Sequence, residues 1–230
     1  RLLLSAAKDL EKQALQLSSG WEKELVIALD VSFPFEVVLP LIDAFHALNK
    51  QTLLKFSYHT LAGSWEELTH NGADIILGAI NEPPTSAAWS YKMLGTLDNV
   101  FVVAPNHPLA ALSDRLTNEQ LCLHRAIVIS DSARFCHPLQ TNLMEEQPQI
   151  HVDDFHSKVA LLRAGMGCGF LPRHIASPWL ATGELVEKSV ISFREKDVAY
   201  MAWRDGSHGL AQQWWRETLL ASRDIAQLYQ

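Results

Sequence analysis

The sequence predicts an α/β fold with a parallel sheet, and two observations carry that prediction. From Glu24 to Leu77, short apolar runs alternate with helical patterns as β-α-β-α-β, the repeat of a parallel sheet with helices on its faces. From His151 to Pro172 the run HVDDFHSKVALLRAGMGCGFLP reads as strand end, loop, helix, glycine turn and buried strand, a second βαβ-type piece. Ligands of open α/β sheets gather outside the C-terminal ends of the strands, so strand ends are where candidate site residues are sought.

Taken in order, residues 1–19 read as a helix. Leu3, Leu10 and Leu17 are spaced by seven, which fits either a coiled-coil seam or an ordinary helix packed on its own domain. Gly20 ends it. Glu24–Leu29 is a buried strand, followed by a loop through Asp30–Pro34. A helix from Phe35 to Leu48 points Val38, Leu41, Ile42 and Phe45 inward. Thr52–Tyr58 is the next strand, Trp65 and Leu68 lie on a short helix, and Ala73–Leu77 is a third strand.

Asn81–Ala88 is a polar, proline-containing loop, and Val100–Ala104 a strand closed by Pro105. Thr117 to Gln120 has the spacing of a capping box. Ala126–Ser130 is a strand leading into a polar loop, Asp131–Arg134, with a helix expected within 139–146. Asp153 or Asp154 caps the helix that places Phe155, Val159 and Leu162 on one face, and Gly165 suits its left-handed C-cap. Gly165, Gly167 and Gly169 do not form a phosphate loop. Such loops run strand, glycines, helix, whereas these glycines leave a helix and enter a strand, where they allow close packing. Pro178–Ala181 reads as a helical turn, Leu185–Val186 as a short strand, Val198–Trp203 as the last strand and Leu210–Leu228 as a closing helix.

With 230 residues and 48% hydrophobic side chains, the chain can bury a sizeable core in one or two domains. No apolar run reaches the length of a membrane span, and no secretory leader opens the sequence. The balance of 19 basic against 26 acidic residues, net −7, argues against a nucleic-acid-binding surface on this segment. Three cysteines do not suggest a disulfide framework, which favours a cytoplasmic home. Cys122-x-His124 and Cys136-His137 are the close Cys/His pairs, and neither has a second pair at zinc spacing. Cys168 sits in an apolar run and reads as an inert core thiol. No nucleophile-elbow motif is present. Neither a metal, a cofactor nor catalysis is expected.

Four passages together resemble the effector-binding part of LysR-type transcriptional regulators. Gly72-Ala73-Asp74-Ile75-Ile76-Leu77 is similar to that family's G-x-x-D-hydrophobic strand. Val102–Ala110 (VVAPNHPLA) is similar to its crossover segment. Ala164–Pro172 (AGMGCGFLP) is similar to its A-G-x-G-hydrophobic-L-P segment. Residues 1–20 resemble its linker helix. The resemblance implies an α/β fold of two Rossmann-like subdomains joined by two crossover strands, periplasmic-binding-protein-like (type 2), preceded by a linker helix. It implies a linker at 1–20, subdomain I at 22–100 with 204–230, and subdomain II at 101–203, with crossovers at Val100–Ala104 and Met201–Trp203. It also implies a small-molecule effector between the lobes, a homodimer or tetramer, and promoter DNA held by a winged helix-turn-helix ahead of Arg1. The competing reading is a free-standing solute-binding protein or small enzyme on the same two-lobed fold, since fold alone does not determine function.

On that two-lobed frame, lobe I brings Ser32 and Phe33 after the first strand, Thr60, Leu61, Ala62 and Gly63 after the second, and Gly78 after the third. Lobe II brings Ser130 and Asp131, together with Phe155 at the start of its helix. Val102 and Trp203 are expected in the floor. Each polar member also has a plain structural reading, as Asp131 and Ser132 can bond their own turn and Gly63 can simply fit one. Asp131 speaks against a strongly anionic ligand unless Arg134 offsets it.

Overall fold

The computed structural model describes residues 20–48, 51–70, 72–86, 88–112, 115–135, 139, 147–191, 196–206 and 209–230. The expected helix at 1–19, most of that within 139–146, and Cys136-His137 lie outside them. The strands are β1 (Glu24–Asp30), β2 (Leu53–His59), β3 (Ile75–Ile80), β4 (Trp89–Val103), β5 (Ala126–Ile129), β6 (Gln149–Val152), β7 (Cys168–Pro172), β8 (Val186–Lys188) and β9 (Lys196–Arg204). The helices are α1 (Leu39–Leu48), α2 (Ala62–Thr69), α3 (Asn118–Cys122), α4 (Phe155–Arg163), α5 (Arg173–Ala181), α6 (Leu210–Ala221) and α7 (Arg223–Leu228).

The strands run β2-β1-β3-β9-β4-β7-β5-β6, with β8 beside the end of β4. β1 is parallel to β2 and β3, and β5 is parallel to β6 and β7. β4 connects these two parallel groups. Trp89–Asp98 pairs with β9, and Asn99–Val103 pairs with β7. The fold therefore has two halves, each a parallel sheet covered by helices, that share one 15-residue strand. In the first half α1 and α6 cover one face. Phe45 sits 5.7 Å from Trp215, among Leu25, Ile27, Leu29, Ile75 and Leu77. Trp65 of α2 and Trp89 stack at 5.5 Å on the other face. In the second half, Val102, Ile127, Leu162 and Leu171 pack under α4 and α5.

The expected strand at Val100–Ala104 is only the end of β4. Its first stretch, WSYKMLGTLD, lacks clean alternation and carries a bulge between Met93 and Gly95. Met201–Trp203 does not cross between the halves. It pairs with Ile75–Leu77 inside the first sheet. α5 is a full helix despite Pro178 near its end. The closing helix breaks at Ser222, whose hydroxyl caps α7 by accepting from Ile225 N.

The glycine-rich run is packed as the sequence suggests, with one difference of partner. Gly165 takes φ +70° at the C-terminal turn of α4. A Cβ at Gly167 would lie 2.5 Å from Arg125 O, and one at Gly169 would lie 2.9 Å from Ile127 O. These glycines thus admit the β5 backbone rather than a helix. Asp154 caps α4, and Thr117 and Gln120 form the capping box of α3.

Candidate functional site

The strand ends of both halves face one open cavity, about 880 Å³ with the solvent at its mouth included. The first half supplies Asp30, Val31 and Ser32 after β1, Thr60 and Leu61 after β2, and Ile80 of β3. The second supplies β5, Phe155 and Lys158 of α4, and Cys168 to Phe170 of β7. Leu97, Asn99 and Phe101 of β4, with Asp197 of β9, form the floor.

Three ionisable side chains define the polarity of this cavity. Asp30 is 3% exposed, and its Oδ1 accepts from Ser32 N (2.9 Å) and Ser32 Oγ (2.5 Å). Burial pushes its pKa up to about 6, with the nearby Asp197 adding to the rise and the Ser32 bonds opposing it. Asp197 Oδ2 accepts from Asn99 Nδ2 at 2.7 Å. Lys158 is 6% exposed on the opposite wall. Burial brings its pKa down to about 7, and burial also pushes the neighbouring Cys168 thiol up to about 12.

Beside the cavity the halves are joined by a polar seam. Asp131 of the second half accepts at the start of α2 from Ala62 N (3.2 Å) and from Gly63 N (3.1 Å), which also donates to Thr60 O. Thr60 Oγ1 donates to Ser130 O (2.6 Å) and accepts from Ser132 N (2.8 Å), while Thr60 N donates to Ser132 Oγ. Glu66 accepts from Arg134 N and Phe135 N. Away from α2, His174 Nε2 of α5 donates to Ser32 O at 2.9 Å. A Cβ on Gly63 would lie 2.0 Å from Ser132 Oγ and 2.7 Å from its carbonyl carbon, so glycine here admits the facing loop. Leu61 adopts φ +51° in this turn, a strained conformation for a branched side chain.

Four of the expected site residues line the cavity: Ser32, Thr60, Leu61 and Phe155. The others do not. Ala62, Gly63, Ser130 and Asp131 are engaged in the seam. Phe33 is buried in the first-half core. Gly78 forms the β3 bulge and backs onto Tyr229, whose hydroxyl lies 2.4 Å from where its Cβ would be. Val102 faces the α4 side of the sheet, while its neighbour Phe101 faces the cavity. Trp203 pairs with Ile75 at the start of β3, because β9 is antiparallel to β3. The cavity therefore receives the other end of β9, at Asp197. Since Asp131 is on the seam, it no longer argues against an anionic ligand.

Sequence reading missed Asp30, Asn99, Lys158 and Asp197. Lys158 left a readable signal, a charged residue beside Phe155, Val159 and Leu162 on the buried face of α4. Asp197 left none, since it follows residues whose pairing depends on a distant strand. Among the described residues no group of three or more His, Cys, Asp or Glu could hold a metal ion. No described helix is long and apolar enough to cross a membrane.

Comparison with known proteins agrees with this geometry. Residues 18–224 match the LysR substrate binding domain. The chain is 43% identical over 229 residues to the HTH-type transcriptional regulator YeeY of Escherichia coli K12, covering 100% of this chain and 74% of that protein. The regulatory domain of NMB2055 (MetR), a LysR family regulator from N. meningitidis, superposes with a TM-score of 0.61 at 20% identity, covering 86% of this chain and 94% of that one. The CcmR regulatory domain of Synechocystis PCC6803, solved in complex with 2-PG, gives 0.61 at 16% identity, covering 88% and 99%. The two halves are thus the lobes of a type 2 periplasmic-binding-protein-like fold, and this is a regulatory domain rather than a free-standing solute-binding protein. The chain belongs to the LysR-type transcriptional regulators and comprises their effector-sensing domain.

Proposed function

We propose that the interlobe cavity is the effector site and that the effector acts by biasing how the two lobes close. The observation that carries this is the lining itself. Ser32 and Thr60 of one lobe, Phe155 and Lys158 of the other, and the β4–β9 floor converge on one space. A ligand touching both lobes binds the closed arrangement better than an open one, which is what a shift of population requires. The polar seam at α2 and the His174–Ser32 bond are the contacts such a shift would strengthen or release. The lobe boundaries then fall at Asp98/Asn99 of β4 and ahead of Lys196. CcmR, held with 2-PG, supports a small-molecule reading of the fold.

In the full-length regulator, this domain works in the cytoplasm as part of a homodimer or tetramer on promoter DNA, and it turns over no substrate. Its expected occupant fits between Phe101, Phe155 and Phe170, a flat small metabolite rather than a long lipid. A thermal-shift screen of small metabolites should find compounds that raise Tm, since a ligand of the folded state stabilises it. Ile129→Trp, which fills the cavity from the end of β5, should abolish those shifts while leaving Tm without ligand close to wild type. Undiminished shifts in that variant would put the site elsewhere.

A further inference from the structure

We propose that Lys158 is the anion-recognising residue of this cavity, so that the effector carries a carboxylate set against α4 and hydrogen-bond donors facing Asp30. This rests on the cavity being the effector site. Lys158 is 6% exposed, yet among the described residues its Nζ has neither a hydrogen bond nor an ion pair. Its one aromatic neighbour is the Phe155 ring, 5.8 Å away. The nearest acid on its own helix, Asp154, is occupied, since its two oxygens accept from Ser157 N and Ser157 Oγ.

Core packing does not account for a lysine here. Val159 and Leu162 already carry the buried face of α4, and an unbranched apolar side chain would fill position 158 without desolvating a charge. The wall beside the amine is kept open as well. Lys158 lines the cavity together with Gly169 and Phe170, so its side chain borders open space. A buried cation with room beside it and no counterion among the described residues is completed by an anion from outside.

The remaining charges narrow the class. Lys158 is the one basic side chain among the described residues of the lining, against the carboxylates of Asp30 and Asp197. A single ammonium balances a carboxylate. A phosphate dianion would add a second negative charge to a cavity that already holds two acids, with no arginine fork to receive it. The acids lie on the first lobe and the floor, so the other end of the ligand meets acceptors and should present hydroxyl, amide or ammonium donors.

The test uses the whole chain and matched acid–amide pairs: benzoate and benzamide, nicotinate and nicotinamide, glycolate and glycolamide. Binding is read from backbone amide shifts of Thr60 and Gly169, one on each wall, in wild type and in Lys158→Met. Thermal unfolding confirms that the variant is folded. At least one acid should bind wild type about tenfold more tightly than its amide, and Lys158→Met should remove that preference while leaving the amide unchanged. If acids and amides bind alike, or if the acid preference survives in Lys158→Met, the anion assignment is wrong and the effector-site reading stands. If neither acids nor amides move the cavity resonances, both are overturned.

Discussion

The seam at α2 and the cavity next to it are built from the same kinds of residue and end in opposite states. In the seam, Asp131 caps Ala62 and Gly63, Glu66 takes Arg134 N and Phe135 N, and Thr60 exchanges bonds with Ser130 and Ser132. Its polar groups are satisfied by the facing lobe. In the cavity, Lys158 has no such partner among the described residues, and Asp30 has one oxygen committed to Ser32. Satisfied polar groups across a lobe boundary hold a conformation. Unsatisfied ones store a desolvation cost that a ligand can relieve.

The strongest way to break the contrast is from the seam. Gly63→Val places carbon where Ser132 Oγ and its carbonyl carbon now lie, so the lobes must part or the 130–133 loop must move. A loss of roughly 2–3 kcal/mol in denaturant unfolding is expected from such overpacking, with a larger radius of gyration in solution scattering. An unchanged radius together with unchanged stability would mean that the seam does not hold the lobes. Lys158→Met should act in the opposite direction. Removing a buried amine without a partner should raise stability by about 1–3 kcal/mol, by analogy with buried charges replaced by apolar side chains. A destabilised Lys158→Met would mean the amine has a counterion in the free protein.

Smaller again is Asp131→Asn. The amide has one acceptor oxygen, so it keeps either Ala62 N or Gly63 N and sets an NH2 donor against the other, and it no longer places a full charge at the N-terminus of α2. A loss of about 1–2 kcal/mol is expected, from one hydrogen bond lost together with the helix-end charge. A loss as large as that of Gly63→Val would assign the seam to charge rather than to close approach.

The contrast also explains what could be read in advance. The parallel-sheet class, the caps at Thr117 and Asp154 and the left-handed turn at Gly165 depend on neighbours within a few residues, and the sequence displays them. The LysR-type resemblance supplied the two-lobed arrangement. Which polar strand-end residues face the ligand depends on pairs such as Thr60 with Ser132 and Gly63 with Asp131, 72 and 68 positions apart. No local pattern separates Asp131, used in the seam, from Asp30, used in the cavity. The register of β9 raised the same difficulty. Its antiparallel pairing with β3 brings Asp197 to the floor and takes Trp203 away from it, and composition is blind to strand direction. Lys158 was the exception, because a charge on the buried stripe of a helix is visible at i, i+1 and i+4 from Val159 and Leu162.

The pH dependence of stability sharpens the contrast furthest, because it separates the two cavity charges. Lys158 is lowered from 10.5 to about 7 in the folded chain, so folding releases its proton between those values. The unfolded chain binds more protons there, and stability rises with pH across that window. Below about pH 7 both states are charged and the full cost is present. Asp30 is raised from 3.8 to about 6, so folding takes up a proton between pH 4 and 6, and stability falls as pH rises through that range. Above about pH 6 its full cost is present. The two costs therefore overlap between about pH 6 and 7. The neighbouring Cys168 thiol, pushed up to about 12, stays neutral throughout. The stability gained by Lys158→Met should be flat up to about pH 7 and then shrink steadily toward pH 10. The gain from Asp30→Asn, whose amide oxygen can keep both Ser32 bonds, should be absent near pH 4 and complete above pH 6. Urea unfolding of both variants at pH 4.5, 6.5 and 9.5 measures this, and a Lys158→Met gain that grew between pH 6.5 and 9.5 would show that the buried amine is not the group being titrated.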